Sequence, residues 1–492
     1  MPYAYKESIK ICAFRYVRSG SRIWVFEALR YVYSGIKGSE NRWVMRIYSK
    51  MKTSPAKVIA WGYMIIILGG ALLLMLPISS RAGVFTPPVD AVFTAASAAC
   101  VTGLAVYDTY TYWSGFGQGV LLFLIQVGGL GFMTFAVSIF TLTKRKIGLR
   151  ERVTMQESVA APQMGGIVRM ARFILVGTIL FEAAGTVLLA LRFCPRFGFW
   201  RGLYFAMFHA VSAFCNAGFD LMGRVDPNSS LTGYSGDPIV NITIMILIIT
   251  GGLGFFVWED VAKNRRRLKR YRLHSKLVLV TTAILIAGGA LLLFLFESGG
   301  QAMEGRSLGE KVFLSLFQSI SPRTAGFSTV ETASLTQPSI LLILCLMIVG
   351  GSAGSTAGGI KTTTFAVLFL SIFTEMKRKK SIECFMRRVD DAAVRRSCSV
   401  LIIYLLLFLA GAGAISAFDG VDLTSALFES ASALSTVGLS LGITDSLSDG
   451  SLLTLTLLMY SGRVGSLSLV FAFSHMPEAV PSQMPLEKVT IG

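Results

Sequence analysis

Charge-free apolar stretches alternate with short basic clusters along most of this chain. A helix crossing a bilayer needs about 20 predominantly apolar residues. Stretches at 58–76, 117–143, 239–258, 277–296 and 397–418 meet that requirement without a charge. Three more meet it with one charge each: Glu182 in 173–191, Lys361 in 338–374 and Arg463 in 450–474. The pattern predicts an all-α membrane protein with eight transmembrane spans. Basic residues gather in 1–50, 144–172, 263–276 and 377–396, each cluster following an even number of spans. The intervening connections carry Asp90, Asp108, Asp220, Asp226, Asp237, Glu297, Glu304, Asp419 and Asp422. Cytoplasmic loops are the lysine- and arginine-rich ones, so both termini are expected in the cytoplasm, with a bacterial plasma membrane as the expected location.

Within this pattern a unit recurs at a spacing of roughly 110 residues: FTAASAACVTGL, FHAVSAFCNAGF, LFQSISPRTAGF and FESASALSTVGL. Each has a short apolar helix-like run, then a glycine (Gly103, Gly218, Gly326, Gly438), then Leu104, Phe219, Phe327 or Leu439. A second echo follows it: GGLG at 128–131, GGLG at 251–254, GGSAG at 350–354 and GRVG at 462–465, beginning 25, 33, 24 and 24 residues after the turn glycine. Glycines that merely let membrane helices pack closely are the competing reading of this second echo. The units divide the chain into repeats at 51–150, 151–270, 271–385 and 386–476, with a basic extension over 1–50 and a tail over 477–492. Each repeat reads as a span, a short re-entrant helix, a turn and a returning span. Irregular backbone at membrane depth survives only where protein or a water-filled cavity surrounds it, so four such turns should face one wet axis. The expected fold is four covalently linked helix–pore-loop–helix repeats around a pseudo-four-fold pore.

Composition narrows the function. Only 15% of residues are charged, against about 25% in soluble domains. The net charge of +18 invites nucleic acid as a partner, but its confinement to the predicted cytoplasmic side favours anionic lipid head groups. Extension 1–50, with aromatic residues among its arginines, is read either as lying on the membrane surface or as a solvated basic tail. Seven cysteines and three histidines are scattered without a C-x-x-C or a His cluster, so neither a disulfide framework nor a metal site is expected. No nucleophile–base pair or nucleotide fingerprint is present, and the chain does not read as an enzyme. GSTAGGIKT superficially resembles a phosphate-binding loop, but Ile360 separates Gly359 from Lys361 and the flanks are membrane helix.

A cation crossing a bilayer must exchange its hydration shell for other oxygens, and rings of backbone carbonyls do this in potassium-selective pores. Glycine lets the backbone turn its carbonyls to an axis without a side-chain clash. The candidate filter is Val101, Thr102 and Gly103; Asn216, Ala217 and Gly218; Thr324, Ala325 and Gly326; Thr436, Val437 and Gly438. Thr436-Val437-Gly438 repeats the opening of the potassium-channel TVGYG filter. Asp90, Glu310 and Asp422 lie near the starts of three of the short helices, where acids suit the positive pole; the second helix lacks one. The side chains of Thr102, Thr324, Thr436 and Asn216 either offer oxygens near the filter or cap helix ends.

In the third repeat the run Gly350, Gly351, Ser352, Ala353, Gly354, Ser355, Thr356, Ala357, Gly358 and Gly359 should break the helix into two pieces. Arg463 replaces the second glycine of the fourth GGLG-type motif. An arginine at mid-helix costs about 2.5–3.5 kcal/mol on insertion scales and is rarely idle. It is expected to face the cavity beyond the filter and bond to the 350–359 loop, with snorkelling to an interface as the competing reading. Glu429 is expected either to support the filter or to face the outer vestibule, and Glu182 to bond between helices.

CNAGF, RTAGF, GGSAGSTAGGIKTTT and Arg463 together resemble the Trk/Ktr/HKT superfamily of potassium transporters over roughly 52–492. PLEKVTIG at the C-terminus is similar to the end of Ktr-type membrane subunits. Trk-type members carry two further N-terminal spans and residues 1–50 contain none, so the resemblance is nearest the Ktr type. It implies potassium uptake through a single-chain pseudo-tetrameric pore in the cell membrane. It also implies a homodimer resting on a cytoplasmic ring of nucleotide-binding regulatory subunits, with no covalent cofactor and sodium as a candidate activator. In that family the loop matching 350–359 restricts the passage below the filter; Lys361 lies just beyond it. Members with serine at the first turn tend to pass sodium; Gly103 there points to potassium. A sodium- or proton-coupled symporter and a non-conducting membrane scaffold are the alternatives.

Overall fold

The computed structural model describes residues 55–142, 148–158, 166–227, 229–466 and 469–470. Extension 1–50 and tail 477–492 lie outside the described residues. A long helix, a short buried helix and a further helix follow one another four times. The first set is α1 (Pro55–Met75), α2 (Pro88–Cys100) and α3 (Gly115–Leu130), continued by α4 (Phe132–Leu142). After α5 (Leu149–Ser158) comes the second: α6 (Ile167–Phe197), α7 (Phe199–Cys215) and α8 (Pro238–Leu253), continued by α9 (Phe255–Asn264). The third is α10 (Leu273–Glu297), α11 (Leu308–Ile320) and α12 (Gln337–Ile348), continued by α13 (Thr362–Met376). A small antiparallel hairpin, β1 (Glu383–Cys384) and β2 (Arg387–Arg388), leads to the fourth: α14 (Asp391–Asp419), α15 (Leu423–Ser435) and α16 (Asp449–Val464).

Four described helices are long and apolar enough to cross a membrane: Pro55–Met75, Val168–Phe197, Leu273–Glu297 and Asp391–Asp419. Their outward faces are apolar: Ile65, Leu72, Leu180, Ile284, Leu291 and Leu406 are each at least 60% exposed. Contiguous apolar surface of this kind belongs against lipid. The short helices are the reverse. Phe93, Phe208, Phe317 and Phe428 are completely buried, and these four helices form the middle of the molecule.

Four predicted spans are broken, three of them where the apolar pattern reads as continuous. α3 and α4 part at Gly131, and α8 and α9 at Gly254 with a 96° bend. α16 ends at Gly465. The φ values of these glycines are 80°, 90° and 93°, which no right-handed helix accommodates. In the third set the break is the whole loop over 349–361, where the run of small residues predicts one. Apolarity therefore marks these segments as membrane-like without making them straight.

Packing closes on itself. Each short helix lies against the long helix that opens its set, against the helix that follows it, and against one from the preceding set. α7 touches α3, α11 touches α8, α15 touches α12, and α2 touches α16.

A candidate ion pathway

Three short helices end identically. The amides of Val101, Asn216 and Thr436 bond back to the carbonyls of Ala98, Ala213 and Ala433, and those of Thr102, Ala217 and Val437 to Ser97, Ser212 and Ser432. This is the paired bonding of a left-handed helix cap, and Val101, Asn216 and Thr436 have φ of 60°, 60° and 53°. α11 differs because Pro322 cannot donate: its chain passes Ser321 still helical and turns left-handed at Thr324, φ 73°. All four chains then reach a glycine with φ between 71° and 96°.

The four glycines face one another in cyclic order. A Cβ on Gly103 would lie 2.5 Å from the Ala217 carbonyl oxygen, and one on Gly218 would lie 2.9 Å from that of Ala325. One on Gly326 would fall on the Val437 carbonyl and one on Gly438 on the Thr102 carbonyl. Each turn is thus stacked edge to edge with the next, and the fourth returns to the first. Side chains brace the ring. Ser97 Oγ accepts from the Gly103 amide at 3.1 Å and Ser432 Oγ from the Gly438 amide at 3.0 Å. Asn216 Nδ2 donates to Thr324 Oγ1 at 3.3 Å, joining the second and third turns. The Thr102 and Thr436 hydroxyls are buried without a partner among the described residues.

The short helices aim their C-terminal ends at this ring, so their partial negative charge converges there. Their far ends carry the expected acids. Asp422 accepts from the Ser425 amide at 3.1 Å, and Ser307 and Glu310 form a reciprocal cap on α11. The Ser425 and Ser307 bonds hold Asp422 and Glu310 below the usual carboxylate range. Asp90 sits in the first turn of α2, while α7 starts at Gly198 without a side-chain cap.

All four glycines border a vestibule of about 780 Å³. Its wall carries Asp108, Asp220, Asp226, Glu304, Glu331 and Asp445 against one basic residue, Arg306. Six carboxylates to one guanidinium concentrate cations. Burial pushes the Asp220 carboxyl up to about 7, with Asp108 adding to the shift and the Met222 amide opposing it.

On the other side of the ring lies the 349–361 loop. Gly358 is packed so closely on Thr436 that a Cβ would collide with its hydroxyl, and Thr356 Oγ1 donates to the Phe214 carbonyl at 3.2 Å. Three cations hold the loop by its carbonyls. Arg463 donates to Thr356 O and to Gly128 O, and reaches Gly129 O at 3.3 Å. Lys361 Nζ donates to Ala357 O at 2.9 Å and to Gly358 O at 3.3 Å. Arg323 Nη2 donates to Gly350 O at 3.3 Å. No described carboxylate forms an ion pair with any of the three.

A family model described as a cation transport protein, TrkH, matches residues 37–483. The chain belongs to the TrkH family of cation transport proteins. It is 39% identical over 438 residues to the Ktr system potassium uptake protein B of Bacillus subtilis, covering 88% of this chain and 96% of that one. It is 37% identical over 433 residues to the potassium/sodium uptake protein NtpJ of Enterococcus hirae, covering 87% and 95%. Its fold is that of the potassium transporter TrkH of Vibrio parahaemolyticus, with a TM-score of 0.68 over 86% of each chain at 20% identity. The family and these relatives are transporters, not enzymes.

In this TrkH-family chain the structure brings some of the sequence-predicted residues together and leaves others apart. The four glycines meet the carbonyls of Thr102, Ala217, Ala325 and Val437, Asn216 meets Thr324, and Arg463 reaches the loop residue Thr356. Arg323 went unnoticed. It stands three residues before Gly326, where the other repeats have Cys100, Cys215 and Ser435; that mismatch was the available signal. The GGLG motifs divide their labour. Gly128, Gly251 and Gly462 press against the carbonyls of Ala99, Phe214 and Leu434, while the last glycine of each breaks the helix. Close packing is therefore the role of the first glycine. Glu429 accepts from Ser440 at 2.5 Å and from Thr444 at 3.2 Å, so it braces the vestibule segment that follows the fourth turn. Glu182 accepts from Gln126 at 3.3 Å, bonding α6 to α3.

Proposed function

We propose that this chain is the membrane subunit of a potassium uptake system. Four repeats surround a pseudo-four-fold pore, and the carbonyls of Val101–Gly103, Asn216–Gly218, Thr324–Gly326 and Thr436–Gly438 replace water around the ion. The observation that carries the reading is the cyclic stacking of the four glycines, each against a carbonyl of the next turn. Converging helix C-termini and the acidic vestibule favour a cation. The loop of Gly350–Gly359, held by Lys361 and Arg463, is the gate. With eight spans and both termini cytoplasmic, the vestibule faces outward and entry follows the inside-negative potential, worth about 2.3 kcal/mol per charge per 100 mV. A homodimer resting on a cytoplasmic nucleotide-binding regulatory ring is the assembly the family resemblance implies, and the name of the Bacillus subtilis relative, one protein of a Ktr system, supports a partner subunit.

Rubidium uptake into vesicles containing the purified chain tests this. Wild-type flux that disappears in Gly103→Asp supports the filter; absence of any wild-type flux favours a scaffold. The name of the Enterococcus relative, which includes sodium, supports a second reading in which sodium couples to or activates uptake. Flux measured with and without a sodium gradient separates the two.

A further inference from the structure

The connection between α13 and α14 has features that ion conduction leaves unused. In its hairpin Glu383 pairs with Arg388 and Cys384 with Arg387, so Phe385 and Met386 form a two-residue turn. Their φ values are 52° and 59°. Turns of this kind select residues that tolerate the left-handed region, typically Asn-Gly, and a bulky residue there is an outlier. Yet the two residues are phenylalanine and methionine, 42% and 103% exposed. A backbone held against its steric preference to present two apolar side chains to the exterior points to something that receives them.

The turn stands at the edge of the apolar belt. α13 exposes Phe369, Ile372, Phe373 and finally Met376, its last residue. The apolar run of α10 starts at Leu277, and Lys276 Nζ lies 5.9 Å from the Phe385 ring centre. Ile382 and Val389, at the base of the hairpin, pack with Val367, Leu273 and Leu370. Around the turn, residues 377–396 hold eight basic and three acidic side chains. Lys379 pairs with Glu383 and Arg388 with Asp391. Among the described residues, Lys377, Arg378, Lys380 and Arg387 are exposed and form no ion pair.

We propose that this hairpin is a binding site for anionic phospholipid. Phe385 and Met386 enter the boundary between head groups and acyl chains, and the unpaired cations hold the phosphates beside them. An apolar pair at the level of the bilayer surface, ringed by cations without counterions, complements such a lipid in both charge and polarity. The site is separate from the ion pathway, and its test does not depend on transport.

The full chain carrying Phe385→Trp, in phosphatidylcholine vesicles containing phosphatidylglycerol, gives the readout. The emission added over wild type should be quenched at least twofold more by phosphatidylglycerol brominated on its acyl chains than by equally brominated phosphatidylcholine. Adding Lys380→Gln and Arg387→Gln should erase that preference. Added emission that brominated lipid leaves unchanged and aqueous iodide quenches overturns the proposal and leaves an acidic protein partner as the receiver. A second measurement avoids the tryptophan. Phosphatidylglycerol added to the detergent-purified chain should raise its melting temperature more in wild type than in Lys380→Gln/Arg387→Gln, and equal shifts overturn the proposal.

Discussion

Gly438 and Gly442 give a controlled test of the carbonyl ring. Their φ values are 92° and 88°, so alanine at either position meets the same backbone strain, about 1–3 kcal/mol. Their surroundings differ. A Cβ on Gly442 meets nothing within 4 Å, whereas one on Gly438 falls on the Thr102 carbonyl and lies 3.0 Å from the Gly103 Cα. Gly442→Ala should therefore lose stability alone. Gly438→Ala should lose the same stability and also push a carbonyl of the first turn off the axis. Withdrawing one oxygen from a cation costs on the order of 1.5–3 kcal/mol, taking hydrogen bonds to charged groups as the guide. That amounts to roughly 10- to 100-fold in ion occupancy. The assay is rubidium uptake in reconstituted vesicles with potassium and sodium as competitors, normalised to folded protein from a melting curve. Gly442→Ala should keep wild-type selectivity; Gly438→Ala should lose most selective uptake. Equal selectivity in the two variants, or wild-type discrimination in Gly438→Ala, refutes a ring of functional carbonyls.

Further outcomes follow from the same contacts. Arg463→Gln removes the donors to Thr356 and Gly128, so basal rubidium uptake should rise several-fold and a cysteine placed at Ser355 should react faster with thiol reagents; unchanged values of both would remove Arg463 from the gate. Arg323→Gln cuts the link between the third turn and Gly350, so potassium-over-sodium discrimination should fall several-fold, with partial rescue by Arg323→Lys. Selectivity equal to wild type would make that link structural only. Because burial raises the Asp220 carboxyl to about 7, it is ionised above that pH and neutral below. Acidifying the outer solution from about pH 8 to 6 removes one negative charge from the vestibule, so uptake should slow across that interval. Asp220→Asn should be slow throughout and lose that step; a step that persists in this variant assigns the titration elsewhere.

Much of the architecture was legible in the chain because membrane insertion writes strong signals. Lipid cannot hydrogen-bond a backbone, so a spanning chain forms helices or a closed barrel, and long apolar runs announce helices. Acids at three of four short-helix starts, and a glycine at every turn, have local causes and were visible locally. What remained invisible came from contact between repeats. The left-handed residues two before each glycine have no common side chain, being valine, asparagine and threonine. Their conformation follows from how the short helices terminate. The breaks at Gly131 and Gly254 were hidden because apolarity measures transfer into lipid and carries no information on axis direction. Within RTAGF nothing local distinguishes Arg323, because its partner is the Gly350 carbonyl, 27 positions away in sequence.

The sequence by itself determined that the chain has apolar helices, four similar glycine turns, a small-residue run and a lone arginine in the last apolar stretch. Those are properties of composition and spacing, which a reader can count. Only the tertiary structure decided that Gly438 would meet Gly103, so that four turns close into a ring, and that Arg323, Lys361 and Arg463 grip one loop at different carbonyls. Closure depends on summed packing among helices hundreds of residues apart, where no local rule fixes which surface finds which.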